Sequence, residues 1–363
     1  MRVVTFGEVM LRLAPEEFLR LSQVLPGRLE ATFGGGEVNV AVSVALQGGE
    51  SAYATVLPDN PLTDAFVSEI RRLGVDHRLV QRSPKGRFGV YFVETGANQR
   101  AGTVTYDRDA SCISLAGPET YDWKKILDGA TWFHITGITP AISEQAAQAA
   151  LEAVRQASQR GIPVSCDLNF RKKLWRWQAG KTPVELARQT MRELVKYVDL
   201  VIANEEDADM CLGIQAPHSN VEAGEISLEG YGQVAREIVR QFRNVKRVAI
   251  TLRESISASH NNWGGIFYHA ASDSVHCAPV NAAGQYEPYE IRNIVDRVGA
   301  GDSFAGGLIF ALNTPGLSEP SQAIAYAVAA SCLKHSIKGD FNHSSRSEIE
   351  GLMKGGGSGR VQR

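Results

Sequence analysis

The sequence has no pair of cysteines at redox or metal-binding spacing; its five stand alone at positions 112, 166, 211, 277 and 332. An odd set without a CxxC pair argues against a disulfide framework and a zinc knuckle, and predicts a reducing, cytoplasmic setting. Charge of one sign is lacking as well. Lys and Arg number 38 and Asp and Glu 40, a formal net charge of -2, so no bulk attraction to nucleic acid is expected. Long hydrophobic runs are also missing. None approaches a membrane span, and Glu8 and Arg12 interrupt MRVVTFGEVMLRLAP, which predicts a first strand and no secretory leader. No internal repeat is evident. What is present is a content of 44% hydrophobic residues in 363, enough to bury a large core.

Apolar, β-rich runs alternate with helical patterns. VVTFGEV, SAYATVL, TWFHITGI, PVSCDLNF, DLVIAN and KRVAITL predict strands, while SEQAAQAALEAVRQASQRG and LEGYGQVAREIVRQF predict helices. Thr182, Pro183 and Glu185 form a capping box with proline at the first helical position. This order predicts an α/β fold with a parallel sheet covered on both faces. GVYFVETG and AGTVTYDR alternate instead and predict a hairpin joined around Gly96 to Gly102, part of a small β lid. The closing GGGSGRVQR is flexible in composition.

Two nucleotide fingerprints fail. Gly180, Lys181 and Thr182 supply the end of a Walker A loop, but Trp175 stands where its first glycine belongs. A dinucleotide fingerprint needs three spaced glycines after the first strand, and VVTFGEVML offers one. A nicotinamide dehydrogenase is therefore not expected.

Two other glycine clusters carry more. In VDRVGAGDSFAGG, Gly299, Ala300 and Gly301 form a bare turn before the apolar helix SFAGGLIFAL. Unpaired N–H groups and the positive end of a helix dipole make such a turn an anion site suited to phosphate. Asp302 is then either a helix cap or a base beside bound phosphate. In FGGGEVNVAVSVALQGG, Gly34 and Gly35 let backbone approach a ligand, and Asn39 offers a donor and an acceptor one turn later.

Together these clusters resemble the signatures of the ribokinase-like (PfkB) carbohydrate kinases, a double glycine followed by asparagine and a terminal G-A-G-D. TYDRDAS, CDLNFRKKLW, NEEDAD and KHSIKGDFN are similar to the 2-keto-3-deoxygluconate kinases among them. The resemblance implies a three-layer α/β sandwich with a mainly parallel central sheet and a β lid. It implies one domain over residues 1–354, lid segments near 9–33 and 86–110, and a flexible tail at 355–363. ATP and Mg2+ are implied, as are a sugar-acid substrate and a homo-oligomer whose lid hairpin closes the cleft alone or pairs across a dimer.

The resemblance also assigns roles. Asp302 is the catalytic base, with Gly299, Ala300 and Gly301 holding the transferring phosphoryl group. Gly34, Gly35, Asn39, Tyr91, Tyr106, Arg108 and Arg171 bind substrate, the arginines at its carboxylate. Asn204, Thr251 and Arg253 join Gly299 and Gly301 at the nucleotide. Asn204 and Asp207 organise the metal through water, Asp207 standing where the family has glutamate. His335 is either a cation at a helix end or a wall of the nucleotide site. Leu11 and Arg12 replace an aspartate of neutral-sugar members, which favours an acid substrate. The stretch RESISASHNNWGG is expected as the nucleotide loop.

Overall fold

Neighbouring residues of each central strand enter opposite cores in the computed structural model, which describes residues 1–204, 206–215 and 228–355. On β1 (Arg2–Phe6), Val4 and Phe6 pack with Phe133, Val201 and Ile250, whereas Val3 joins Trp132, Leu200 and Phe304 on the other side. Strands buried on both faces are what a parallel sheet between two helix layers requires.

Four lid strands, β2 (Met10–Ala14), β3 (Glu30–Gly34), β6 (Gly89–Glu94) and β7 (Thr103–Asp107), are set apart from this sheet. The main sheet holds β1, β4 (Glu50–Pro58), β5 (Val80–Ser83), β8 (Trp132–Thr136), β9 (Val164–Asp167), β10 (Leu200–Ala203), β11 (Arg247–Ser257), β12 (His260–His269), β13 (Ser274–Ala278) and β14 (Tyr289–Arg292). Its order is β13-β12-β11-β10-β9-β8-β1-β4-β5, with β14 beside β12. Pairing is parallel from β11 across to β5 and antiparallel among β11 to β14.

Helices α1 (Gly36–Leu46), α6 (Ala300–Leu312) and α7 (Pro320–Lys334) cover one face. The other carries α3 (Glu144–Gln159), α4 (Pro183–Leu194) and α5 (Leu228–Gln241). At the edge, α2 (Pro61–Arg72) is capped by Asn60, whose side chain accepts from the Thr63 N–H at 3.2 Å. The capping box at Thr182 is present, with its hydroxyl and the Glu185 carboxylate exchanging bonds with each other's backbone N–H. None of the described helices is long and apolar enough to cross a membrane.

The lid follows the order β3-β2-β6-β7. The expected hairpin pairs Val90 with Asp107 through Glu94 with Thr103. β2 leaves β1 after three residues and pairs in parallel with β6, joining the two expected lid segments in one sheet.

One expectation needs correction. RESISASHNNWGG is not an open loop: β11 runs to Ser257, β12 starts at His260, and only Ala258 and Ser259 turn between them. The polar residues there fall largely on the end of β11, where Arg253, Ser255 and Ile256 are exposed, so half-burial replaces the apolar pattern of the sheet centre. The tail expected from residue 355 lies, past Gly355, outside the described residues.

Candidate active site

The amino terminus of α6 emerges from a packed core. Gly299 has φ +83°, and a Cβ there would meet the backbone oxygen of Asp340 at 2.1 Å, so conformation and space both demand glycine. A Cβ on Gly301 would meet nothing within 4 Å. That position faces open space. The first N–H groups of the helix therefore border a cleft of about 540 Å³ that Gly299, Ala300, Gly301 and Asp302 all line.

Helix α1 faces α6 across this cleft. A Cβ on Gly35 would strike the Glu8 carbonyl at 2.1 Å, so the chain passes there only as glycine. The Gly35 N–H donates to Asn39 Oδ1 at 3.2 Å, and Asn39 Nδ2 donates to Asp302 Oδ2 at 2.6 Å. Asn39 is thus held at one end and presents its amide to the carboxylate at the other. Burial pushes Asp302 up to about 6, the Asn39 bond opposes this, and the neighbouring Asp340 charge adds to it.

Beneath Asn204 the chain builds a reciprocal turn. Asn204 Oδ1 accepts from the N–H groups of Glu206 and Asp207 at 2.8 and 3.0 Å, while Asp207 Oδ2 accepts from Asn204 N–H at 3.1 Å and Oδ1 from Phe170 N–H at 2.9 Å. All three side-chain oxygens already hold backbone donors. These bonds fix the Asn204–Asp207 turn at the cleft, where both residues line its wall. Among the described residues no cluster of three His, Cys, Asp or Glu forms a metal site. Glu205 lies outside the described residues.

Asp167 also lines the cleft, held well above the carboxylate range by burial and then by the charges of Asp207 and Asp302. It accepts from the Asn169 N–H at 3.1 Å. Asn169 sits at φ +39°, a left-handed backbone that asparagine tolerates. This turn delivers Arg171 to the cleft, exposed, with a 3.4 Å bond to the Phe170 carbonyl and no carboxylate partner among the described residues.

The lid contributes Tyr91 and Tyr106 to the wall, their rings 6.2 Å apart. Two expected substrate residues do not reach it. Arg108 turns inward, buried and paired with the equally buried Glu8, its guanidinium over the Tyr106 ring. Gly34 sits behind the wall, where a Cβ would meet Asp340 Oδ2 at 2.2 Å and Tyr91 Oη at 2.5 Å. Thr251 and Arg253 line the far end beside Trp263. His335 lies there too, edge-on to Trp263 at 5.0 Å. Burial pushes His335 down to about 4, so it is a neutral wall and not a cation.

Asp340 had no assigned role, yet it is central. Its Oδ2 accepts from Tyr91 Oη at 2.7 Å and lies 3.5 Å from Asn39 Nδ2, and its Oδ1 accepts from Arg12 at 2.7 Å. Arg12 is buried and absent from the cleft wall, so its presence does not advertise an acid substrate directly. The glycine-aspartate step in KGDFN is a faint local signal for Asp340; nothing local links it to a residue 328 positions away.

A mainly parallel sheet between helix layers, a separate β lid, and a cleft between them define the ribokinase-like fold. The chain belongs to the pfkB family of carbohydrate kinases, whose model matches residues 1–252. It is 30% identical over 358 residues to a 2-dehydro-3-deoxygalactonokinase of Haloferax volcanii, covering 98% of each chain. A crystal structure of a 2-dehydro-3-deoxygluconokinase from Thermotoga maritima is similar at TM-score 0.86 and 42% identity, covering 98% of this chain and 99% of that one. A fructokinase of Escherichia coli is 24% identical over 319 residues, covering 87% of this chain and 86% of its own.

Proposed function

We propose that the chain transfers the γ-phosphoryl group of ATP to the 6-hydroxyl of 2-keto-3-deoxygluconate, giving 2-keto-3-deoxy-6-phosphogluconate and ADP. The observation that carries this reading is the 2.6 Å Asn39–Asp302 bond at the open amino terminus of α6, on a cleft that also presents the exposed Arg171. Relatives named for two sugar acids support the substrate class.

The chemistry follows from the geometry. The Asp302 carboxylate takes the proton of the attacking hydroxyl as its oxygen bonds the γ-phosphorus and the bond to the ADP oxygen breaks. N–H groups of Ala300, Gly301 and Asp302 hold the charge on the moving group. Asn39 keeps Asp302 aimed and ionisable, and Arg171 takes the substrate carboxylate. Tyr91 and Tyr106 cover the sugar from the lid, while Thr251, Arg253, Trp263 and His335 line the nucleotide end. Magnesium would neutralise phosphate charge, held by the nucleotide and, through water, near Asn204 and Asp207. Residues 1–354 act as one domain carrying both lid segments.

An ADP-release assay across 2-keto-3-deoxygluconate, its galactonate epimer, gluconate and fructose tests the reading. A preference for the two keto-deoxy acids is expected; preferential turnover of fructose would overturn it.

A further inference from the structure

Arg12 is the most enclosed cation of the lid and belongs to neither wall of the cleft. It rises from the centre of β2, 3% exposed, and its two terminal nitrogens reach different carboxylates: one lies 2.7 Å from Asp340 Oδ1, the other 2.5 Å from Asp296 Oδ2. Both acids are buried.

Each of these carboxylates organises part of the site. Asp296 Oδ1 accepts from Val298 N–H and Oδ2 from Gly339 N–H, both at 3.0 Å, so it ties the loop leading into the Gly299–Asp302 turn to the segment bearing Asp340. Asp340 in turn holds Tyr91 and approaches Asn39, the residue that aims Asp302. Its backbone carbonyl also abuts Gly299. One guanidinium thus joins a lid strand to both supports of the phosphoryl-binding turn.

We propose that Arg12 is a positioning residue that locks the lid to the Asp296–Asp302 turn, so that substrate-covering tyrosine and catalytic carboxylate share one register. The inference rests on the kinase reading for its effect on rate, and on geometry alone for its effect on the turn. Arginine is required because a planar fork serves two carboxylates at once, where a lysine ammonium is a point charge on one stem. Among the described residues, buried Lys334, whose Nζ donates to the Ile337 carbonyl at 3.0 Å, makes no ion pair with the lid.

The test is chemical rescue of Arg12→Ala. Leaving two buried carboxylates without their partner is expected to lower kcat for 2-keto-3-deoxygluconate roughly a hundredfold, with a smaller change in the KM for ATP. Millimolar guanidinium, far below denaturing concentrations, should restore at least about a tenth of the lost rate, while equal urea should not. Hydrogen exchange at Val298 and Gly339 should quicken in the variant and slow again with guanidinium. A folded Arg12→Ala variant with near-wild-type kcat, or with unchanged exchange at those amides, overturns the proposal, as does loss without rescue. If Arg12→Ala does not fold, Arg12→Lys decides: reduced kcat with faster exchange at the two amides supports the lock, and wild-type values for both overturn it. An inactive wild type whose exchange still responds would sink only the functional reading.

Discussion

Asn39 Nδ2 stands 2.6 Å from Asp302 Oδ2, across 263 residues of sequence and between two helices that both begin at glycine turns. A short bond to a charged acceptor both aims the carboxylate and favours its ionised form. Replacing Asp302 by asparagine keeps the shape and removes the base. Turnover should fall about a hundred- to ten-thousand-fold, with nucleotide binding by calorimetry little changed.

The pH profile follows from the same pair. Burial holds Asp302 near about 6, and only its deprotonated form accepts the proton, so kcat/KM should fall as pH drops through that value and level off above it. Asn39→Ala removes the bond that opposes the shift, and its acid limb should move to higher pH. An unmoved limb would detach Asn39 from the base.

Arg171 supplies the substrate test. A hydrogen bond to a charged partner contributes about 1.5 to 3 kcal/mol, so Arg171→Ala should lower kcat/KM for the sugar acid roughly ten- to a hundredfold. A neutral analogue lacking the carboxylate should be far less affected. Arg108→Ala should behave differently: with Arg108 paired to Glu8 inside the lid root, the loss should appear in thermal stability and on both substrates alike.

Two glycines of one turn should separate stability from catalysis. Gly299→Ala meets the Asp340 carbonyl at 2.1 Å and a left-handed φ, so its melting temperature should drop. At Gly301 an added Cβ meets nothing within 4 Å, so Gly301→Val should fold, yet it places a branched side chain where phosphate approaches, so turnover should be weak. Wild-type turnover from Gly301→Val would refute the phosphate cradle.

His134 gives a stability prediction away from the cleft. Fully buried, with Nδ1 2.8 Å from Ser165 Oγ, it is pushed down to about 3 by burial. An unfolded histidine titrates near 6.5. The folded state therefore prefers the neutral ring, its contribution is complete above pH 6.5, and it is lost as pH falls from there toward 3, by up to about 1.4 kcal/mol per pH unit. Urea midpoints at pH 7.5 and pH 5 should differ less in His134→Leu than in the wild type.

The parallel core was legible because VVTFGEV, TWFHITGI and DLVIAN are apolar on both faces, and the turn at Gly299 because bare backbone before an apolar helix has few other uses. β12 to β14 were not, since His260–His269 and its partners form a sheet edge where packing, not pattern, decides. Asp340, Asp296 and Arg12 escaped for another reason: a charged residue reads as solvated until tertiary structure brings its partner. Arg108 illustrates the converse, because Glu8 claims a guanidinium that the motif alone sends to the substrate.

The two anchors of Arg12 lie 284 and 328 positions after it. During synthesis β2 therefore exists long before either carboxylate does, and a guanidinium destined for an interior must wait in water while most of the chain is made. Chains grow at about 5–20 residues per second, so the lid root stays unfinished for many seconds on each ribosome. Losing the segment after α7 would leave that state permanent, with Asp340 missing and Arg12 held by Asp296 alone, one end of its buried fork unpaired.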